Sequence, residues 1–446
     1  NNKHHHDWGM KGMPVTKRTS PPSDYARNLP NPRLISNQCL DDGDEFAFPA
    51  PNEMGASDML VIWGQFLDHD MVLTESDSRE NMNIAIPRGD PVFDPHHRGN
   101  EIMPFSRSAH TNIGGKSTAI NSITSYIDGS QVYGSDSSRA SALRSFQDGR
   151  LRVSSGDHLP KNILGLPNAP HSSLTDFSLA GDIRANENVA LQAMHTIWVR
   201  EHNRIAGSLA MINPHWGDES IYQAARMIVG AEIQAITYNE FLDNLLGING
   251  LPEYKGYNKT CNAAINDEFA TAAFRLGHTL VSKCVAHLGK DMKVTNDNCI
   301  PLVDAFFSSE KLEKIGIDHI MRGLAGQMCQ GMDHRIVHPL RNMLFKDHGF
   351  RGLDLAAINI QRGRDHSLGT YNHVRESFGL KARNTFREIT PDPMLARDLE
   401  VAYGNVDNVD PWVGMICEPT VYGAMVGETI HAIIIDQFVS LRDCDR

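Results

Sequence analysis

The chain has 446 residues, of which 41% are hydrophobic and 22% are charged, and its formal net charge is -12. These values are typical of a globular protein with enough residues for a large core. An acidic chain without a basic stripe is poorly suited to nucleic acid. Because no apolar run approaches the roughly 18–20 residues that span a bilayer, a transmembrane segment is not expected.

The N-terminal part of the chain is irregular in pattern. Residues 1–55 are rich in proline and lack hydrophobic periodicity, which predicts an irregular N-terminal arm without a core of its own. Residues 56–446 are expected to form one large domain. Within it, the Gly and Pro punctuation of residues 75–120 predicts a long loop region. The histidines at 4–6 and 96–97 can bind metal, although solvated loop histidines are the ordinary explanation.

The loop region contains the tripeptide Arg88-Gly89-Asp90. This tripeptide binds integrins when an exposed turn presents it, but three residues are a weak signal. An adhesive contact is therefore kept as a minor hypothesis.

After the loop region, helical spacing of apolar residues dominates the chain. Helices are predicted at 187–210, 219–246, 266–282, 302–316, 317–328, 353–361, 393–403 and 418–440, after an earlier helix that starts near Ser57 and ends near Asp70. A hairpin is expected between Val281 and Leu302. There is no alternation of strands and helices, so we expect a mainly α fold with little β structure.

The cysteines favour disulfides over a zinc site. None of the seven forms a CxxC pair: Cys39, Cys261, Cys284, Cys299, Cys329, Cys417 and Cys444. Cys284 and Cys299 flank the predicted hairpin and are expected to pair, with Cys417 and Cys444 as a weaker second pair. Disulfides and the glycosylation sequon Asn258-Lys259-Thr260 favour a secreted protein.

The stretch Trp63-Gly-Gln-Phe-Leu-Asp-His-Asp70 concentrates polar groups at the end of an apolar helix. Gln65, Asp68 and His69 are three and four residues apart and share one helix face. Asp70 is rotated by about 100° from His69 and points elsewhere. A core histidine held by an aspartate is the plain alternative. It leaves several buried polar groups in need of partners.

Two further stretches carry candidate site residues. In Ala180-Gly-Asp-Ile-Arg-Ala-Asn-Glu-Asn188, Arg184 and Glu187 can share a face at a helix N-terminus, and a structural ion pair is the alternative. In Ala273-Phe-Arg-Leu-Gly-His-Thr279, small residues around His278 allow a flat ligand to approach the helix closely. A histidine satisfied within the core is the alternative there.

A fourth stretch, Thr124-Ser-Tyr-Ile-Asp-Gly-Ser130, offers oxygen atoms at alternate positions. The hydroxyl and carbonyl of Thr124, the carbonyl of Tyr126, the carboxylate of Asp128 and the hydroxyl of Ser130 suit a hard cation such as calcium. An ordinary Ser/Thr/Asp turn explains the same residues without a metal.

Taken in order, the four stretches resemble the animal-type haem peroxidases of the peroxidase–cyclooxygenase superfamily, and the peroxidasin and the invertebrate or bacterial branches look most similar. The resemblance implies the myeloperoxidase-type fold for residues 56–446 and haem b as cofactor. It implies that His69 and Arg184 cleave hydrogen peroxide, that Gln65 orients water or halide, and that His278 binds the haem iron. It also makes Asn359 the partner of the His278 N–H, and Arg275 and Arg362 the contacts of the haem propionates.

The same resemblance implies further bonds to the haem and to calcium. Asp68 and Glu187 match the acids that form esters to haem methyl groups. Asp70 would complete a calcium site with Thr124, Tyr126, Asp128 and Ser130. Asn188 stands where myeloperoxidase has the Met that forms a sulfonium link, so this chain would carry two haem bonds and oxidise chloride poorly.

The implied activity is reduction of hydrogen peroxide coupled to oxidation of halides, thiocyanate or small aromatic donors through an oxidised haem. A fatty-acid dioxygenase of the cyclooxygenase side is the main alternative. Such enzymes need a tyrosine a few residues before the proximal histidine, and Phe274-Arg-Leu-Gly-His278 has none. A second alternative is an RGD-bearing adhesion protein of the peroxinectin type.

Overall fold

Helices form most of the secondary structure, which confirms the mainly α fold. The computed structural model describes residues 5–19, 29–43, 51–169, 177–293 and 298–445. It contains about 45% helix and 13% strand. Among the described residues, no helix combines the length and the apolar character that crossing a membrane requires.

The helices follow the apolar spacing of the sequence. They are α1 (Pro32–Cys39), α2 (Asp58–Met71), α3 (Ser130–Tyr133), α4 (Ser137–Leu143), α5 (Val189–Ile212), α6 (Asp218–Ile236), α7 (Leu242–Leu246), α8 (Asp267–Thr271), α9 (Leu302–Ala305), α10 (Ser309–Ile315), α11 (Ile317–Gly326), α12 (His338–Asn342), α13 (Leu355–Asp365), α14 (Tyr371–Ser377), α15 (Phe386–Ile389), α16 (Pro393–Tyr403), α17 (Pro411–Ile416) and α18 (Glu428–Asp443). Their buried faces join one hydrophobic core that extends from Ile35 to Leu441.

Several predicted helices are interrupted in the structure. The segment 219–246 consists of α6 and α7 joined by one π-helical turn, Thr237–Phe241. The segment 266–282 consists of α8 followed by a 3₁₀ segment, Ala273–His278. The helix predicted at 418–440 is α18, which begins at Glu428 instead of residue 418. α17 is a separate helix before it.

The strands are short. They are β1 (Met13–Pro14), β2 (Ser76–Asn81), β3 (Ile84–Ala85), β4 (Ile102–Met103), β5 (Ser106–Ser108), β6 (His110–Ile113), β7 (Lys116–Asn121), β8 (Cys284–Ala286) and β9 (Cys299–Pro301). Residues of β3, β4, β8 and β9 belong to the same hydrophobic core as the helices. All pairings between the strands are antiparallel: β1 and β6 flank β7, and β2–β5, β3–β4 and β8–β9 are separate pairs. The prediction of a long loop at 75–120 was therefore too simple, because most of β2 to β7 lies there. The hairpin predicted near 281–302 is β8–β9.

The N-terminal arm is more ordered than its composition suggests. It contributes β1 and the helix α1, where the Asn31 side chain accepts a hydrogen bond from the Arg33 amide. The Arg33 guanidinium is buried and bonds Asp90 at 2.8 Å and Asp354 at 2.6 Å. The arm is thereby tied to the segment between β3 and β4 and to the N-cap of α13.

Two disulfides are present, and one of them was predicted. Cys284 and Cys299 are bonded across β8–β9, with Cα atoms 5.7 Å apart. The predicted Cys417–Cys444 pair is wrong, because Cys444 bonds Cys261, whose Cα lies 5.3 Å away. Cys417 ends α17 and is a buried free thiol, as are Cys39 and Cys329.

The hairpin disulfide is expected to stabilise the fold measurably. Replacing both Cys284 and Cys299 with Ser should lower the free energy of unfolding by about 3 kcal/mol, the entropy of closing a loop of about 15 residues. Denaturant unfolding measures this difference, which should vanish when both proteins are compared under reducing conditions. A free thiol at Cys284 in non-reducing peptide mapping would contradict the pairing.

Candidate active site

A cavity of about 530 Å³ lies between α2 and the 3₁₀ segment that ends at His278. This volume is in the range of ligand-binding pockets. Eight of the predicted site residues line it: Gln65, Asp68, His69, Arg184, Glu187, Arg275, His278 and Arg362. The sequence therefore identified side chains that the fold brings together from four separate parts of the chain.

His69 is a buried, neutral base on one wall of the cavity. Its Nδ1 lies 3.5 Å from the carboxylate of Asp182. Burial, together with the positive charge of Arg184, holds the pKa of His69 well below 6.5, although Asp182 opposes this shift. The imidazole is thus uncharged at neutral pH and able to accept a proton.

Arg184 is fixed by a carboxylate that the sequence analysis did not single out. Asp182 accepts from Arg184 Nε at 2.9 Å and from Nη2 at 2.9 Å. Burial alone would raise the pKa of Asp182, but Arg184 and His69 hold it below 3.8. One ionised carboxylate therefore orients the arginine and faces the histidine. The sequence signal for this role of Asp182 is its position two residues before Arg184.

Burial disfavours the ionised form of two carboxyl groups of the cavity. Burial raises the pKa of Asp68 to about 6, with Arg184 Nη1 3.3 Å away in partial compensation. Burial raises that of Glu187 to about 7. Gln65 donates to Glu187 at 3.2 Å and accepts from Asn188 at 3.1 Å, so its amide is held in one orientation.

His278 is a neutral imidazole on the other side of the cavity. Burial, with the charge of Arg275, lowers its pKa to about 3. Its Nδ1 lies 2.7 Å from the amide nitrogen of Asn359. The expected partner is therefore present, but the resemblance implied that the amide oxygen would face this nitrogen. Arg275 Nη1 donates to that oxygen at 2.7 Å, which turns the amide the other way.

Two guanidinium groups give this side of the cavity a positive charge. The Nε of Arg275 is buried and has no hydrogen-bond partner among the described residues. Burial, and then the charge of Arg362, lowers the pKa of Arg275 to about 10. Arg362 donates to Ser108 Oγ at 2.9 Å and to Asp365 at 2.8 Å. Both arginines line the cavity, where they suit the carboxylates of a bound group.

Asp70 points away from the cavity, into the loop that precedes α3. Its carboxylate accepts from the amide of Gly129 at 3.1 Å and from the amide of Ser130 at 2.7 Å. Gly129 has φ of +76°, a conformation that favours glycine. Asp128 accepts from the hydroxyl of Thr124 at 3.1 Å. The amide of Ser130 also donates to Asp128 at 3.0 Å, so the two carboxylates lie side by side.

Neither carboxylate forms an ion pair within 4 Å in the described part of the chain, although the charge of Arg226 lowers the pKa of Asp128 in part. Burial, and then the charge of Asp128, raises the pKa of Asp70 well above 3.8, and burial also raises that of Asp128. Tyr126 is buried beside them, and its hydroxyl donates to Trp8 O at 3.1 Å. No cluster of three or more His, Cys, Asp or Glu suited to a metal occurs among the described residues, so any cation here depends on hydroxyl and carbonyl oxygens.

The RGD tripeptide is not presented as an adhesive turn. Asp90 is buried, and its carboxylate accepts from Arg33 at 2.8 Å and from Asn37 at 2.9 Å. Arg88 is exposed, with Nε donating to the carbonyl of His97 at 3.0 Å. Because the carboxylate is sealed in an ion pair, the geometry does not favour integrin binding. Of the N-terminal histidines, His4 lies outside the described residues.

A single cavity is lined by two histidines, His69 and His278. His69 lies beside the ionised pair of Arg184 and Asp182. This arrangement is that of a peroxidase site built for a flat cofactor. A profile of the animal haem peroxidase family matches residues 1–446, and the chain belongs to that family.

Known relatives agree with this assignment. Peroxinectin A of Dictyostelium discoideum is 34% identical over 100% of this chain and 86% of its own length. Peroxidasin of Drosophila melanogaster is 37% identical over 87% of this chain, which matches only 28% of that longer protein. The structure of Peroxidase A from Dictyostelium discoideum has a TM-score of 0.93 and 33% identity, covering 100% of this chain and 90% of its own.

The protein is therefore a haem peroxidase, an oxidoreductase that uses hydrogen peroxide and an electron donor. Neither the fatty-acid dioxygenase nor the adhesion protein is favoured as an alternative.

Proposed function

We propose that haem b would bind in the cavity between His69 and His278, where His278 would hold the iron. The observation that carries the proposal is that one cavity of about 530 Å³ is lined by both neutral histidines and by Arg184. The residues fit the cofactor, since the buried Nε of Arg275 has no partner among the described residues and is free for a propionate, and His278 is uncharged. A Soret spectrum that changes on addition of hydrogen peroxide tests it.

The protein groups divide the work of peroxide cleavage. The haem, when bound, supplies the redox chemistry. Neutral His69 accepts the proton of hydrogen peroxide and returns it to the leaving oxygen, acting first as base and then as acid. The Arg184 guanidinium stabilises the negative charge that develops as the O–O bond breaks. Asp182 keeps both groups in place, since it bonds Arg184 and faces His69.

We further propose the donor preference of the enzyme. Gln65, held by Glu187 and Asn188, would orient water or a halide near the cofactor. Asn188 has no sulfur atom with which to form a sulfonium bond to the haem. We therefore expect fast oxidation of iodide, thiocyanate and bromide and slow oxidation of chloride at pH 7. Halide-dependent kinetics measure this order, and fast chlorination would contradict it.

The carboxyls of Asp68 and Glu187 are proposed to form ester bonds to haem methyl groups. Both line the cavity, and burial raises their pKa values to about 6 and about 7. After treatment with hydrogen peroxide, the haem should resist extraction by acidified organic solvent. Asp68→Asn and Glu187→Gln should each retain only one ester bond to the haem. Mass spectrometry of haem peptides measures the number of bonds. Complete extraction from the wild-type protein would contradict the proposal.

We propose a calcium site formed by Asp70, Thr124, Tyr126, Asp128 and Ser130. It is supported by two neighbouring carboxylates whose pKa values burial raises and which form no ion pair with a described residue. The ion would fasten the end of α2 that carries His69. Asp70→Ala should weaken calcium binding about 100-fold or more, because affinity follows the charge count of the ligands.

Chelation distinguishes this effect from general destabilisation. A chelator should lower the melting temperature and haem retention of the wild type and change neither in Asp70→Ala. Glu310→Ala removes an exposed carboxylate of α10 and should behave like the wild type. Native protein without bound calcium in metal analysis would rule the site out.

We also propose that the enzyme is secreted. The two disulfides require an oxidising compartment to form. The sequon asparagine, Asn258, is exposed and therefore accessible for glycosylation. Glycopeptide mapping of the native protein at Asn258 tests the assignment.

A further inference from the structure

Aromatic rings form a continuous path from the catalytic cavity toward the surface, between α2 and α5. The His69 ring lies 6.4 Å from that of His195, which lies 5.0 Å from Phe66. Phe66 stacks on Trp198 at 6.1 Å with an interplanar angle of 11°. Trp63 lies 5.8 Å from both Phe66 and Trp198. Two indoles, which are among the most easily oxidised side chains, are therefore in contact with each other behind the catalytic histidine.

The environment of the two indoles differs from that of ordinary core tryptophans. Buried indole N–H groups usually donate a hydrogen bond. The Nε1 atoms of Trp63 and Trp198 are both buried without a partner among the described residues. An indole that loses an electron becomes a strong N–H acid. Without an acceptor it keeps this proton and remains a strongly oxidising radical cation, which can take an electron from a neighbour.

The outer end of the path reaches a surface depression of about 690 Å³. Its apolar lining is Trp198, Ile197, Ala235 and Ile236, and its charged lining is Glu232, Arg200, Glu201 and Arg204. Oε2 of Glu232 is buried and has no hydrogen-bond partner in the described part of the chain. Burial, and then the charge of Glu201, raises the pKa of Glu232. Glu201 is already paired with Arg204, whose Nε donates to it at 2.8 Å. The apolar side chains beside Glu232 suit a phenol, whose ring packs on them while its hydroxyl donates to Glu232.

We propose that Trp198 is a second oxidation site, at which phenolic donors too large for the cavity give up electrons that travel inward through Phe66 and His195 toward His69. The inference rests on the haem peroxidase activity, which supplies the oxidant. Two phenols each lose one electron and one proton, and Glu232 accepts each proton and passes it to water. Hydrogen peroxide takes up two electrons and two protons at the cavity, its O–O bond breaks, and two water molecules form.

The first test compares two donors of different size. Iodide enters the cavity, whereas tyramine coupled to dextran is restricted to the surface. Trp198→Phe should lower kcat/KM for dextran-tyramine at least tenfold, with less than a twofold change for iodide. Trp198→Tyr restores an oxidisable ring and should stay within threefold of the wild type for both donors. Trp216→Phe, on the loop before α6 and outside the aromatic path, is the matched control and should change neither.

The second test does not depend on turnover. Rapid freezing after one equivalent of hydrogen peroxide should give a tryptophan radical in the electron paramagnetic resonance spectrum of the wild-type holoenzyme. Ring-deuterated tryptophan should narrow that signal. Trp198→Phe should lose it and Trp198→Tyr should replace it with a tyrosyl signal. If Trp198→Phe binds haem poorly, Glu232→Gln removes the proton acceptor at the outer end of the path. It should lower kcat/KM for dextran-tyramine at least tenfold, with less than a twofold change for iodide.

Several results would overturn the proposal. They are an unchanged tryptophan radical in Trp198→Phe, unchanged oxidation of dextran-tyramine in that variant, or an equal loss of iodide oxidation. The last result would show that the substitution damaged the cavity. A lack of peroxide reactivity in the wild type with every donor would instead contradict the peroxidase assignment itself.

Discussion

Replacement of His278 with Ala is expected to abolish the absorption spectrum of a histidine-ligated haem. His278 is a neutral imidazole of the cavity, and burial lowers its pKa to about 3, so protons would not compete with iron for it at neutral pH. The variant should lose most of its haem on gel filtration and show essentially no peroxide-dependent oxidation. Absorbance at the Soret band relative to protein absorbance measures the loss.

Two controls separate loss of the ligand from loss of the fold. His215→Ala removes an exposed loop histidine and should keep wild-type haem content. Adding imidazole to His278→Ala should restore part of the Soret band, because the free ligand can occupy the space of the deleted side chain. A normal histidine-ligated spectrum in His278→Ala without imidazole would show that another residue binds the iron.

Replacement of His69 with Ala should leave haem binding intact and slow the reaction with hydrogen peroxide by about 10²- to 10⁴-fold, the usual contribution of a general acid–base group. Stopped-flow absorbance measures the second-order rate constant. Asp182→Asn should also slow this step, because Asp182 holds Arg184 with two bonds of 2.9 Å. A His69→Ala enzyme that reacts at the wild-type rate would exclude His69 as the base.

The pH dependence of the same rate constant tests the electrostatic argument. Burial and Arg184 hold the pKa of His69 well below 6.5, so the base stays neutral when the pH falls through 6.5. The rate constant should then change by less than about twofold between pH 7.5 and pH 5.5, whereas a solvated histidine would lose most of its base form. A decline centred near pH 6.5 would mean that His69 is solvated in the holoenzyme.

Much of the fold was accessible from local patterns. Apolar spacing predicted the long helix at 187–210, which extends over Val189–Ile212 in the structure. The spacing of Gln65, Asp68 and His69 placed them on one helix face, and all three line the cavity. Local spacing is informative here because a helix fixes the relative direction of its own side chains.

Features that depend on distant contacts were not accessible in the same way. The Cys261–Cys444 bond joins residues 183 positions apart, so it depends on how the end of α18 packs against the loop before α8. Asp182 was missed because a carboxylate two residues from Arg184 has no helical spacing to mark it. The direction of the Asn359 amide depends on the competing donor Arg275, which lies 84 positions away in the sequence.

The buried ion pairs of Arg33 have a consequence for the order of folding. Arg33 bonds Asp354, a residue that leaves the ribosome 321 positions later. Before Asp354 has been synthesised, the Arg33 guanidinium lacks this carboxylate as a partner. α1 then cannot dock stably, because a buried charge needs a partner. The arm therefore closes over the body late in synthesis, after most of the chain has emerged. Removing the arm would leave Asp90 and Asp354 as buried charges without their cation, so we expect a shortened chain to misfold and be degraded.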